Sequence, residues 1–185
     1  MLRLQEKYQK EAVPAMMKKF GYKSVMAVPK LVKVVVNTGY GKQIVDKTGE
    51  EQKKIINAIL EDLSLICGQR AIKTFARKSI SGFKVRQGMP IGAKVTLRRK
   101  KMMDFLDKLI HLVLPRTRDF WGIPEKSVDR RSLTIAIKEH IAFPEVSPEK
   151  VRSIFGLEVT VMTNAKTREE ALELFKLLGF PIKSS

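Results

Sequence analysis

From Leu63 to Met103 the chain carries eleven lysines and arginines and not one aspartate or glutamate. Charge of a single sign cannot be buried, and mixing signs would have relieved the repulsion at no cost in solubility. Those 41 residues must therefore keep their bases on the surface and gather their apolar side chains somewhere else. The spacing shows how. In "IGAKVTLR", Ile91, Ala93, Val95 and Leu97 alternate with Lys94, Thr96 and Arg98, the period of two that sends successive strand residues to opposite faces. "LVKVVVN" repeats the pattern: Val32, Val34 and Val36 are expected on the core side, and Lys33 and Asn37 opposite. Two strands of this kind predict a sheet with one apolar face and one basic, hydrogen-bonding face.

The remaining chain supplies what would cover the apolar face. Leu4, Tyr8, Ala12, Met16 and Phe20 make a helical stripe ending at Gly21, with a kink or restart expected at Pro14. "TGEEQKKIINAILEDLSLICG" opens as a capping box, Thr48 with Glu51, and closes at Gly68, with Ile55, Ile56, Ile59, Leu60, Leu63 and Ile66 on one face. A third helix, "KKMMDFLDKLIHLVL", turns Phe105, Leu106, Leu109, Ile110 and Val113 inward. The fourth, "TREEALELFKLLG", begins with a second capping box, Thr167 and Glu170. "RAIKTFA", "SLTIAIK" and "LEVTVMT" read as further strands. Strands and helices do not alternate as βαβ units, so the expected class is α+β: a largely antiparallel sheet, helices packed on one face, the opposite face suited to RNA.

The whole chain carries 36 bases against 19 acids, a formal charge of +17, and such a field attracts polyanions. Catalysis finds no footing. "GYGKQI" resembles a dinucleotide fingerprint, but Ile44 stands where its third glycine belongs, and no phosphate-binding GxxxxGK[ST] occurs. His111 and His140 lack metal-ligand neighbours at the right spacing, Asp119 and Glu139 lack a partner acid, and the methionines at 16, 17, 102 and 103 read as helix packing. Neither an enzyme nor a cofactor is expected. Cys67, the single cysteine, allows no intrachain disulfide and reads as a small buried hydrophobe in a reducing compartment. The start, MLRLQEKYQKE, lacks the apolar run of a signal peptide, and the cytoplasm is the expected location.

The strongest single signal is "ARKSISGFKVRQGMPIGAKVTLRRKK", residues 76–101. Its bases neutralise phosphates, its glycines let backbone lie close to a sugar–phosphate chain, and Phe83 offers either a stacking face or a packing wedge. No helix is basic along one face, as a duplex-DNA reader or a membrane-surface helix would require. A basic sheet face with a basic loop suits structured RNA. A free-standing RNA-binding or chaperoning module using the same face would satisfy this as well.

Beyond physics, "VPKLVKVVVNTGYG", "GQRAIKTFARKSISGFKVRQGMPIGAKVTLR", "LPRTRDFWGI", "IKEHIAFPEV" and "TNAKTREEALELFKLLGFP" resemble, in order, the signature blocks of the bacterial-type large-subunit ribosomal protein L-five family, from about Tyr8 to Pro181. The resemblance implies a single non-catalytic domain over 1–185, with an N-terminal helix at 1–22, a protruding basic loop at 77–90 and a C-terminal helix at 166–180. It implies binding of 5S rRNA in the central protuberance through Lys33, Asn37, Gln69, Thr96 and Arg98, a set that alternation extends with Lys94. It implies that the loop, through Arg77, Lys78, Ser79, Ser81, Gly82, Phe83, Lys84 and Arg86, meets the elbow of the P-site tRNA. A surface from about Arg116 to Pro144, with Arg116, Arg118, Arg130 and Arg131, would face a small-subunit head protein in an intersubunit bridge. The implied partners are thus 5S rRNA, 23S-type rRNA, P-site tRNA and neighbouring ribosomal proteins, with no membrane and no small-molecule substrate.

Three features depart from the family pattern. "SVDRRSLT" stands where a longer glycine-rich "FDGRGNYS"-like run is usual. The TGEEQKK region is several residues longer, and "LRRKKMM" replaces the usual glycine after the strand with more charge.

Overall fold

The computed structural model describes residues 3–118, 120–147, 149 and 153–183. Asp119 lies outside them, as do residues 1 and 2 of the expected N-terminal helix. The fold is α+β, a five-stranded, largely antiparallel sheet accompanied by helices, with a separate two-stranded sheet. The larger sheet is made of β1 (Leu31–Gly39), β2 (Ile72–Phe75), β3 (Pro90–Leu97), β5 (Ser132–Ile137) and β6 (Leu157–Thr163). Its strand order is β2-β3-β1-β6-β5. In the smaller one β4 (Ile123–Pro124) pairs in parallel with β7 (Ile182–Lys183). Contacts gather the chain into two compact units. One comprises Met1–Val34, Leu97–Ile135 and Thr160–Ser185, the other Val35–Thr96 and Ala136–Val159.

In the first unit, α1 (Leu4–Lys7) and α2 (Val13–Phe20) are one rod joined by a π turn, Tyr8–Ala12, in which the Val13 amide donates to the Tyr8 carbonyl. Pro14 explains the turn. Its ring would strike the carbonyl four residues back, and widening the helix there removes the clash. The wider turn also keeps a stripe spaced by four in line, so Leu4, Ala12 and Met16 are all buried. The same device recurs where α5 (Arg99–Lys108) passes through a π turn at Leu109–Val113 into α6 (Leu114–Arg116), just ahead of Pro115. Phe105, Leu106, Leu109, Ile110 and Val113 are buried, as their spacing predicts. α1 packs on α5, and α2 packs on α7 (Arg168–Leu178).

The capping box of α7 forms, with the Thr167 hydroxyl accepting from the Glu170 amide and Glu170 Oε2 accepting from the Lys166 and Thr167 amides at 2.7 and 3.3 Å. Burial alone would raise the Glu170 carboxyl's proton affinity. The Tyr22 hydroxyl and those amides outweigh it and hold the group below the usual carboxylate range. Val32 departs from expectation: it is 39% exposed, because it opens onto a cleft lined by Arg3, Gln5, Lys100 and Met103 instead of lying under a helix. Burial on alternate residues of β1 begins only at Val34.

The second unit is built on α4 (Gly49–Cys67), whose Ile56, Ile59, Leu63, Ile66 and Cys67 are buried along with Val36, Ala93 and Val95 of the strands. Gly68, at φ 60, ends α4 in the left-handed conformation open to glycine without a Cβ penalty. The capping box read at Thr48 and Glu51 does not form, since the Thr48 side chain makes no cap bond. The junction is braced from the other side. Gln52 Nε2 donates to the carbonyls of Ile44 (2.9 Å) and Lys47 (3.1 Å), tying α4 to the short helix α3 (Gly41–Ile44). The residue that spoils the dinucleotide fingerprint, Ile44, is fully buried.

Two sites in this unit admit little change. A Cβ added to Gly92 of β3 would stand 2.7 Å from both the Thr38 carbonyl oxygen and Thr74 Oγ1, on either side of it. His140 is completely buried, stacked 3.9 Å from the Phe155 ring. Its Nδ1 accepts from the Phe155 amide at 3.4 Å, so the neutral ring carries its proton on Nε2, which lies 3.8 Å from Asp62 Oδ2. Burial lowers the imidazole pKa, and the Asp62 carboxylate only partly offsets it.

Replacing Gly92 with alanine should cost about 2–4 kcal/mol in urea unfolding, because the Thr38 backbone carbonyl on one side and the Thr74 hydroxyl on the other must both give way. Gly49→Ala, at an open helical position, should instead be neutral or stabilise by about 0.5–1 kcal/mol. His140 sets a pH dependence whose sign follows from its direction of shift. A histidine whose folded pKa is depressed contributes stability that is complete above the ordinary value of 6.5 and is lost as pH falls toward the lowered folded value. Unfolding midpoints of wild type and His140→Gln should therefore converge as pH drops from about 7 to about 5.

Candidate RNA interface

β3 separates core from surface as alternation requires: Ala93, Val95 and Leu97 are buried, Lys94 is exposed and Thr96 half-buried. Gln69, in the link from α4 to β2, donates its Nε2 proton to the Thr96 carbonyl at 3.1 Å. That bond orients the amide, leaving Gln69 Oε1 to accept from a ligand. β2 runs antiparallel to β3 with Ile72 opposite Lys94 and Thr74 opposite Gly92, so Ile72 and Thr74 share the face of Lys94. Asn37, exposed on the neighbouring β1, completes the second unit's share of this face. Lys33, half-buried on β1, and Arg98, exposed immediately after β3, belong to the first unit. Ile72 was not picked out from the sequence, although the alternation in "RAIKTFA" carries the signal.

The basic loop is an ordered hairpin. Ile80 and Val85 exchange backbone bonds of 2.9 and 3.2 Å around a single helical turn, Ser81–Phe83. Lys84 leaves that turn with φ 51, and Gly88 takes φ 80 at the base, where its amide donates to the Ala76 carbonyl. Ser79 Oγ accepts from the Gln87 amide at 2.9 Å across the hairpin. Arg77, Lys78, Ser79, Ser81, Gly82, Phe83, Lys84 and Arg86 are all exposed. Phe83 is 68% exposed, its ring open to solvent. Asp46 reaches the loop from far away in sequence, pairing with Lys84 Nζ at 3.0 Å, a contact between exposed groups worth little in stability.

Elsewhere in the first unit Arg116, Arg118, Arg130 and Arg131 are exposed. Arg130 Nε donates to the Lys166 carbonyl, and the Arg131 carbonyl accepts from the Thr163 amide. His111 is exposed, 3.4 Å from Asp107. Among the described residues no helix is long and apolar enough to cross a membrane.

Comparison with known proteins settles what kind of chain this is. Residues 24–86 match the family described as ribosomal protein L5, and residues 90–182 match the model for the C-terminus of the same ribosomal family. The chain is 49% identical over 182 residues to the large ribosomal subunit protein uL5 of Caldanaerobacter subterraneus, covering 98% of each. It is 48% identical over 180 residues to that of Clostridium tetani, covering 97% of each, and 50% identical over 182 residues to that of Clostridium botulinum, covering 98% of each. The chain belongs to the ribosomal protein L5 family.

Membership in the L5 family makes the chain a structural rather than a catalytic protein. It also gives meaning to one backbone strain. Arg99, first residue of α5, has φ 53, a conformation that costs a non-glycine residue roughly 1–2 kcal/mol. This is the place where the L5 resemblance leads one to expect glycine. Here the strained position carries one of four consecutive bases, Arg98 to Lys101. Arg99→Gly should raise stability to unfolding by about 1 kcal/mol while Arg99→Ala does not. Equal stability of the two variants would mean that the backbone is unstrained in solution.

Proposed function

We propose that this chain, a structural constituent of the large ribosomal subunit, holds 5S rRNA on the sheet face carrying Lys33, Asn37, Gln69, Lys94, Thr96 and Arg98. The observation that carries the reading is the sorting of side chains along β3, with bases and hydrogen-bonding groups outward and only apolar groups inward. Lys33, Lys94 and Arg98 neutralise phosphates, while Asn37, Gln69 and Thr96 set register through sugars and bases. Gln69 is suited to this because Thr96 already engages its amide nitrogen.

The hairpin at 77–90 has a different task in this reading. Its exposed bases and Phe83 meet the elbow of the P-site tRNA, a surface that changes as tRNAs move. Weak, solvated contacts serve that purpose better than a desolvated clamp. Arg116, Arg118, Arg130 and Arg131 face a protein of the small-subunit head across the subunit interface. The shortened "SVDRRSLT" run leaves the two arginines at 130 and 131 to make that contact without the family's glycine-rich extension.

Filter binding of the purified chain to 5S rRNA and to tRNA, across a range of salt, tests the assignment. Selective binding of 5S rRNA that survives physiological salt is expected; equal, steeply salt-dependent binding to both RNAs would mean that the +17 charge acts alone. Arg98→Ala should weaken 5S rRNA binding and reduce the log–log salt slope by about one. An unchanged slope removes Arg98 from the interface. Deleting Ser79–Gly88 should leave 5S rRNA affinity intact and speed tRNA loss from ribosomes carrying the shortened protein. Loss of 5S rRNA binding on that deletion would overturn the division of labour.

A further inference from the structure

β2 is the end strand of the five-stranded sheet, bonded to β3 on one side, and among the described residues no strand lies along its other side. None of its four residues is buried. Ile72 is 64% and Phe75 56% exposed, and alternation sends them to opposite faces. An open edge bearing apolar side chains is a ready template for another extended chain. Beside it runs a groove lined by Leu60, Glu61 and Ser64 of α4 and by Gln69, Arg70 and Lys73.

Charge decides what could fill this edge. A second copy pairing through β2 would set Arg70, Lys73, Arg77 and Lys78 against the same four residues, with no acid between 63 and 103 to relieve them. Like charges directly opposite therefore close the edge to its own kind. The same bases favour a segment rich in acids. RNA fits the edge less well than peptide, because the edge presents carbonyl oxygens alternately with amides, and a phosphate answers only the amides. An extended polypeptide answers both.

We propose that the β2 edge accepts, by strand addition, an extended acidic segment of another protein in which acids alternate with apolar residues. The apolar residues pack on the face of Ile72, and on the opposite face the acids meet Lys73, with Arg70 lining the same groove. This goes beyond the RNA reading, and of the residues proposed for 5S rRNA only Gln69 borders the groove.

The test uses the full chain and a dye-labelled peptide of about eight residues alternating glutamate with valine. Expected are saturable binding by fluorescence anisotropy and slowed amide exchange within Ile72–Phe75. Methylating the peptide's amides in one alternating register should abolish binding, and methylating the other register should not, the signature of a single paired edge. Arg70→Glu with Lys73→Glu should weaken the peptide about tenfold while the urea unfolding midpoint, measured on the same sample, is retained and certifies the fold. Binding indifferent to methylation, unchanged exchange at β2, or protection of these amides by a polyuridylate oligomer but not by the peptide would each overturn the proposal. None of those outcomes touches the 5S rRNA assignment, which stands or falls on its own titration.

Discussion

Eleven like charges in 41 residues can stay folded only if something other than the charges ties the segment down, and that tie is the apolar side of β3 together with α4. Burying a valine, leucine or isoleucine side chain contributes about 1.5–3 kcal/mol. Repulsion between exposed charges about 10 Å apart is well under about 1 kcal/mol after solvent and salt screening. Val95, Ile56, Ile59, Leu63 and Ile66 are all buried in the second unit, and together they outweigh the repulsion on the opposite side. The sorting by alternation is thus what lets a strongly basic face coexist with a stable fold. Gly92 serves the same end, since the approach of Thr38 and Thr74 to it would be impossible with any side chain present.

Most of the fold was legible because it rests on local rules. Period-two and helical spacing located the strands and helices, and the Thr167–Glu170 box formed where its spacing placed it. The similar pattern at Thr48 and Glu51 did not form, and the difference lies outside the motif. Gln52 binds carbonyls of the preceding turn, a contact that depends on where α3 arrives. Val32 failed for a related reason: alternation assigns a residue to a face, whereas burial requires a helix above that face. At Pro14 the sequence announced an interruption and left its form open, and the π turn before Pro14 reappears before Pro115.

The candidate interface divides along the same line. The outward bases of β3 and the exposure of the loop could be read from spacing and charge. The contacts around these groups join residues remote in sequence: the Gln69 amide donates to the Thr96 carbonyl, and Asp46 pairs loosely with Lys84. Left-handed backbone at Lys84 and Arg99 was equally hidden, since neither is a residue type that announces it.

Both left-handed residues are bases, and both lie in the acid-free stretch. Glycine would relieve the backbone at either place and remove a charge. Strain of this size persists when surrounding structure enforces it and when the side chain returns something that folding alone does not need. At Lys84 the turn Ser81–Phe83 and the Ile80–Val85 bonds enforce it; at Arg99 the start of α5 does, with the bases of residues 98–101 crowded at an N-terminus whose dipole already repels them. A protein judged only on its unbound stability would gain by losing these charges. One that works against polyanions offsets the strain on binding, because each phosphate neutralised there relieves dipole and side-chain repulsion together.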